Sequence, residues 1–168
     1  MAGIARAARR VLGIDPGLVD TGYGMLARGA QGIEIVATGV ITAATDIPLE
    51  ARLARVYDGT LEILEGFTPD ALVLEDLYTE YKFPRTAILM AHARGVICLA
   101  ARQRNVAVVT MPPASVKRAI AASGAASKEQ VQAAVQHMLR LDRPPRPSHV
   151  ADALALALTG LSRAGGLA

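Results

Sequence analysis

Connection length divides this 168-residue chain in two. Three strand-like apolar runs come first: Arg10 to Asp15, Thr21 to Arg28 and Ile33 to Ile41. Only Pro16-Gly17 with its neighbours and Gly29-Ala30-Gln31-Gly32 separate them, and links that short fold strands back as antiparallel hairpins. Beyond them, helix-length segments separate the strands. Pro48 to Gly66 carries Leu49, Leu53, Val56, Tyr57, Leu61 and Leu64 at helical spacing, with proline at its start and glycine at its end. Asp70 to Glu75 reads as a fourth strand, Arg85 to Asn105 as a long helix, and Val106 to Met111 as a fifth strand. Such strand–helix–strand units close as right-handed parallel crossovers. Pro112-Pro113 leads into a helix through Val116 and Ile120. Another helix runs from Ser127 to Leu141, opened by a capping box of Ser127 and Gln130. A break at Arg143-Pro144-Pro145-Arg146-Pro147 precedes a last helix with Ser148 as its N-cap. Neither half is large enough for its own core, so both must share one five-stranded mixed α/β sheet flanked by helices. The expected domain covers 10–163, with a short basic tail over 1–9 and a C-terminal tail over 164–168.

Composition excludes several classes. Apolar residues make up 52% of the chain, which speaks against disorder. No run reaches the ~18 apolar residues of a membrane span, and Met1 to Arg10 lacks the apolar core of a secretory signal. Cys98, the only cysteine, sits in an apolar run and reads as a core residue in a reducing compartment. The expected location is the cytoplasm, with no membrane partner. Charge is uneven: residues 1–84 hold seven Lys/Arg against twelve Asp/Glu, and residues 85–168 hold eleven against three. A basic half suggests a polyanion; a solvated basic surface is the plainer alternative.

Two acids end strands: Asp15 closes the first and Glu75 the fourth. Ligands of open α/β sheets bind beyond the carboxyl ends of strands, where strand order reverses. If the fourth strand pairs with the first, these carboxylates stand side by side. His149 and Asp152 lie three apart at the start of an otherwise apolar helix, on one face. Helix-dipole preference alone would account for Asp152. Together, three carboxylates and an imidazole would repel unless a cation neutralised them, and hard divalent ions take such oxygens. Two such ions suit phosphodiester hydrolysis.

The same residues carry a family resemblance. Gly13-Ile14-Asp15-Pro16-Gly17 with Thr21-Gly22-Tyr23-Gly24, Leu74-Glu75, Ala93-Arg94-Gly95-Val96, Val116-Lys117, Lys128 with Gln130-Val131, and Ala151-Asp152-Ala153-Leu154-Ala155 occur in order over nearly the whole chain. In these blocks the chain resembles the RuvC family of Holliday-junction resolvases. The resemblance implies a ribonuclease H-like fold, a homodimer, four-way junction DNA as substrate and a branch-migration helicase complex as partner. It implies metal-binding roles for Asp15, Glu75 and Asp152. His149 falls where many members carry Asp; imidazole is the softer ligand, which favours Mn²⁺ over Mg²⁺. Lys117 and Lys128 match basic residues used near the scissile phosphate, with Arg118 beside the first. Tyr78 matches a base-stacking aromatic. Tyr81, Lys82, Phe83 and Arg85 extend that loop as further DNA contacts. The helix after it is apolar almost all round, which implies burial on more than one side, with a dimer contact as an added use.

Other readings remain open at this point. Gly13-Ile14-Asp15-Pro16-Gly17 also resembles the first phosphate loop of actin-like ATPases and sugar kinases, but those need two such domains and a second glycine-rich loop. A non-catalytic junction-binding module and a ribonuclease H-like nuclease acting on another nucleic acid are the remaining alternatives.

Overall fold

Short hairpin links and long crossovers produce a single five-stranded sheet in the computed structural model, which describes residues 8–77 and 84–165. The elements are β1 (Arg10–Asp15), β2 (Asp20–Gly29), β3 (Gly32–Thr42), α1 (Leu49–Phe67), β4 (Ala71–Glu75), α2 (Pro84–Gln103), β5 (Ala107–Met111), α3 (Pro113–Ala121), α4 (Lys128–Met138) and α5 (Ser148–Gly165). Strand order is β3-β2-β1-β4-β5. The meander pairs antiparallel, and β4 lies parallel to both β1 and β5. Strand four therefore stands beside strand one, the condition on which the pairing of Asp15 with Glu75 rested. The parts of Tyr78, Tyr81, Lys82 and Phe83, and most of both proposed tails, lie outside the described residues.

Strand parity sorts side chains onto two faces. Leu12, Ile14, Leu72 and Leu74 join Val56, Ile63 and Ile97 in a core under α1 and α2. Val11, Val73, Val109 and Met111 join Val116, Val131, Val135 and the α5 residues Leu154 to Leu158 on the other side. Asp15 and Glu75 share parity with Val11 and Val73, so they belong to the α5 side. No described helix is long and apolar enough to cross a membrane.

Element boundaries shift where local chemistry differs from expectation. Helix α1 runs past Gly66 to Phe67, and Thr68 takes the left-handed position (φ 45°) with its N–H donating to the Leu64 carbonyl. Helix α4 stops at Met138, because Arg140 turns left-handed (φ 52°) and ends the periodic hydrogen bonding. Its start is as read: Ser127 accepts from the Gln130 N–H, and Gln130 Oε1 accepts from the Ser127 N–H at 2.8 Å. Ser148 is the first residue of α5 rather than a cap outside it. Helix α2 is buried on one side only. Ala93, Ile97, Ala100 and Ala101 face the core, while Ile88 and Leu99 are 57% and 51% exposed. Cys98 on this helix is half-buried, and burial pushes its thiol up, which suits a packing role over a nucleophilic one.

Candidate active site

The site exists because α5 lies unusually close to β1 and β2. A Cβ built on Gly13 would stand 2.0 Å from the Ala153 carbonyl oxygen, and one on Gly22 would stand 2.3 Å from that of His149. One on Gly24 would meet the Leu154 side chain at 2.7 Å. Gly13 and Gly24 are cross-strand partners, as are Asp15 and Gly22. Bare backbone on two strands thus admits a helix made largely of Ala and Leu. His149 comes to rest over Gly22, next to Asp15, and its Nδ1 lies 2.7 Å from Asp15 Oδ2. Below Asp15, the turn into β2 is pinned by Thr21, whose buried hydroxyl donates to the Gly17 carbonyl at 2.5 Å.

Asp15, Glu75 and Asp152 open onto one cavity of about 360 Å³, together with Lys117 of α3 and Lys128 of α4. Lys128 Nζ stands 3.0 Å from Asp152 Oδ2. Burial, with Asp15 and Asp152 nearby, pushes the Glu75 carboxyl up to about 7, against the opposing pull of Lys117. The Asp15 carboxyl is raised by burial and by Asp152, while the hydrogen bond to His149 pulls it down. Asp15, Glu75 and Asp152 thus line the same cavity. Among the described residues, no three His, Cys, Asp or Glu side chains stand together as a ready-made ligand set. Asp15 is engaged by His149 and Asp152 by Lys128 instead.

Not every expected residue reaches this cavity. His149 lines a neighbouring, more apolar cleft with Leu18, Leu89 and Met90, on the far side of Asp15. Arg118 is exposed and its guanidinium lies toward Gly124. Arg85 is exposed at the start of α2. One residue went unassigned in the sequence. Arg94 of α2 donates to the Glu75 carbonyl at 2.9 Å and stands 3.9 Å from Asp76 Oδ1, with only 16% of its side chain exposed. An arginine inside an apolar helix was the signal available for it, since a buried guanidinium needs acceptors.

A mixed sheet with acids at neighbouring parallel strand ends, and a third acid delivered by the last helix, defines a ribonuclease H-like domain. Residues 11–160 match the family described as crossover junction endodeoxyribonuclease RuvC, and the chain belongs to that family. A crossover junction endodeoxyribonuclease RuvC from Rhodopirellula baltica is 42% identical over 92% of this chain and 86% of its own length. One from Sorangium cellulosum is 44% identical over 93% and 86%. The solved structure of Thermus thermophilus RuvC in complex with a Holliday junction substrate superposes with a TM-score of 0.83 at 37% identity, covering 90% of this chain and 92% of that one.

Proposed function

We propose that this protein is a divalent-metal-dependent endonuclease that resolves Holliday junctions by paired nicks in DNA recombination and repair. The observation that carries this reading is the shared cavity of Asp15, Glu75 and Asp152, with Lys117 and Lys128 at its walls, in a chain of this family. The donor set suits a hard cation: burial and neighbouring acids raise the Asp15 and Glu75 carboxyls, and a bound cation would offset that cost and favour their charged, oxygen-donating forms. A bound divalent ion supplies positive charge to the phosphodiester. Asp15, Glu75 and Asp152 would hold it, with His149 as a fourth donor. Two ions per site is the expected number.

The rest of the chemistry belongs to the chain's own side chains. Lys117 faces the cavity and sets a cation where a phosphate oxygen enters. Lys128, now on Asp152, is within reach of the DNA backbone once that carboxylate is otherwise engaged. His149 holds one oxygen of Asp15 through Nδ1 and so fixes the orientation of that carboxylate; from the outer side of Asp15 its ring would have to turn to act as a ligand. With an imidazole in the set, we expect Mn²⁺ to support cleavage better than Mg²⁺. Tyr78, Tyr81, Lys82, Phe83, Arg85 and Arg118 are the proposed further DNA contacts, and a branch-migration helicase complex the proposed partner.

Two opposed nicks need two sites, hence a symmetric dimer. The uncovered α2 face suits it: Ile88 and Leu99 are exposed, and a Cβ on Gly95 between them would meet nothing within 4 Å. Cleavage of a synthetic four-way junction against duplex, flap and RNA–DNA hybrid, in Mg²⁺ and Mn²⁺, tests the reading. Asp15→Asn, Glu75→Gln and Asp152→Asn are each expected to cut cleavage on the order of 1,000-fold, about 4 kcal/mol of barrier, while leaving junction binding. Retained cleavage in Asp152→Asn removes that residue from the site. Hybrid cut in preference to junction transfers the activity to another nucleic acid.

A further inference from the structure

The segment joining α4 to α5 carries cations that the proposed site does not use. Lys128 starts α4 at the rim of the catalytic cavity, and Gln132 and Gln136 follow it at four-residue intervals on the same helix face. The loop after α4 folds back along that face. Gln136 Nε2 donates to the Leu141 carbonyl at 3.1 Å, and the Leu141 N–H donates to the Gln136 carbonyl at 2.9 Å. A cleft of about 300 Å³ holds Gln132, Arg146 and Ser148 together, and Gln132 lies about one helical turn along α4 from Lys128. Arg140 lines the far end beside Gln136 and His137.

Arg140, Arg143 and Arg146 are all exposed, and none makes an ion pair among the described residues. Two acids lie nearby. Glu129 accepts from the Ser127 hydroxyl at 2.8 Å, and Asp142 is exposed in the loop itself. Pro144, Pro145 and Pro147 restrict the backbone that carries Arg143 and Arg146, so less freedom is lost when they bind. Arg140 occupies a left-handed position that favours glycine, so the helix end itself gains nothing from an arginine there.

We infer that this strip is a phosphate track for one duplex arm, running from the catalytic cavity at Lys128 outward to Arg140. The inference rests on the proposed nuclease reading and adds a surface to it. Guanidinium groups present paired N–H donors that match phosphate oxygens, and the strip begins where a phosphate must enter. Twelve residues separate Lys128 from Arg140, roughly 18 Å at helical rise, which spans about five nucleotides of one strand. An acidic protein would need no such continuity with the cavity.

The test compares the full chain with an Arg140→Gly, Arg143→Gln, Arg146→Gln variant on a four-way junction and on plain duplex across a salt series. Loss of three phosphate contacts should flatten the slope of log affinity on log salt by about 2.7 and weaken binding about tenfold or more at moderate salt. Cleavage rate at saturating junction should not change. Arg140→Gly alone should raise the melting temperature while weakening binding, which separates lost contacts from lost folding. Neutral methylphosphonate linkages about three to six nucleotides from the cut bond should weaken the wild type and add nothing to the variant. An unchanged salt slope overturns the track, as does equal phosphonate sensitivity in both proteins. A variant with an unchanged slope that loses affinity for polyglutamate gives the strip to an acidic protein instead. Wild type that shows the strip-dependent slope yet never cuts junctions sinks the nuclease reading and leaves the track. Wild type that cuts junctions, with no slope change in the variant, sinks the track alone.

Discussion

On the α1/α2 side of the sheet, β1 and β4 present Leu12, Ile14, Leu72 and Leu74, all at 0% exposure. On the α5 side the same two strands present Gly13, Asp15, Val73 and Glu75. The first face is filled by large side chains packed under α1 and α2. The second gives up side-chain volume at Gly13, Gly22 and Gly24, so that the backbone of α5 rests almost on the strands. The difference teaches how one sheet serves two ends. Volume on one face supplies stability, and its removal on the other brings two carboxylates on strands within range of a third on a helix.

That contrast can be broken most directly with a single methyl group. Gly13→Ala places a Cβ against backbone that has no flexible side chain to yield. It is expected to destabilise by about 4 kcal/mol or more, beyond most point substitutions. Displacing α5 by even ~1 Å should also lower cleavage per folded molecule on the order of 100-fold. Leu72→Ala on the opposite face should cost about 2–5 kcal/mol and leave cleavage per folded molecule unchanged. Denaturant melts with cleavage normalised to folded protein check both. Equal catalytic losses from the two changes would erase the distinction between the faces.

A smaller effect sharpens the comparison at Arg94, which ties α2 to the end of β4. Arg94→Met removes the donor to the Glu75 carbonyl and should cost about 1.5–3 kcal/mol. As a positioning residue, Arg94 should also affect cleavage, by roughly tenfold, with Arg94→Lys restoring part of it. A change in stability without any change in cleavage would make the contact structural only. The smallest effect lies on the functional face itself. Ser127→Ala breaks the α4 capping box at about 1 kcal/mol, read as a lowered unfolding midpoint, while cleavage stays near wild type.

Strand and helix order were legible because the periodicities are local, and so were Asp15 and Glu75 as strand-end acids. The Ser127 and Gln130 box was legible for the same reason, since all of its atoms lie within four residues. The ends of α1 and α4 were not, because Thr68 and Arg140 adopt left-handed backbone that their residue types do not announce. The expectation that α2 is buried on several sides failed because an apolar sequence does not say which covering surface a single chain provides.

By itself, then, the sequence determined the five-stranded mixed sheet, the acids at two of its strand ends, and membership of a junction-resolving family through blocks spread along the chain. Only tertiary structure decided how the pieces meet. His149 faces the outer side of Asp15, Lys128 pairs with Asp152, and Arg94 grips the carbonyl of Glu75. The physical reason is clearance. The distance between α5 and the strands is set by what Gly13, Gly22 and Gly24 lack, and an absent side chain gains its meaning only from the partner that fills its place.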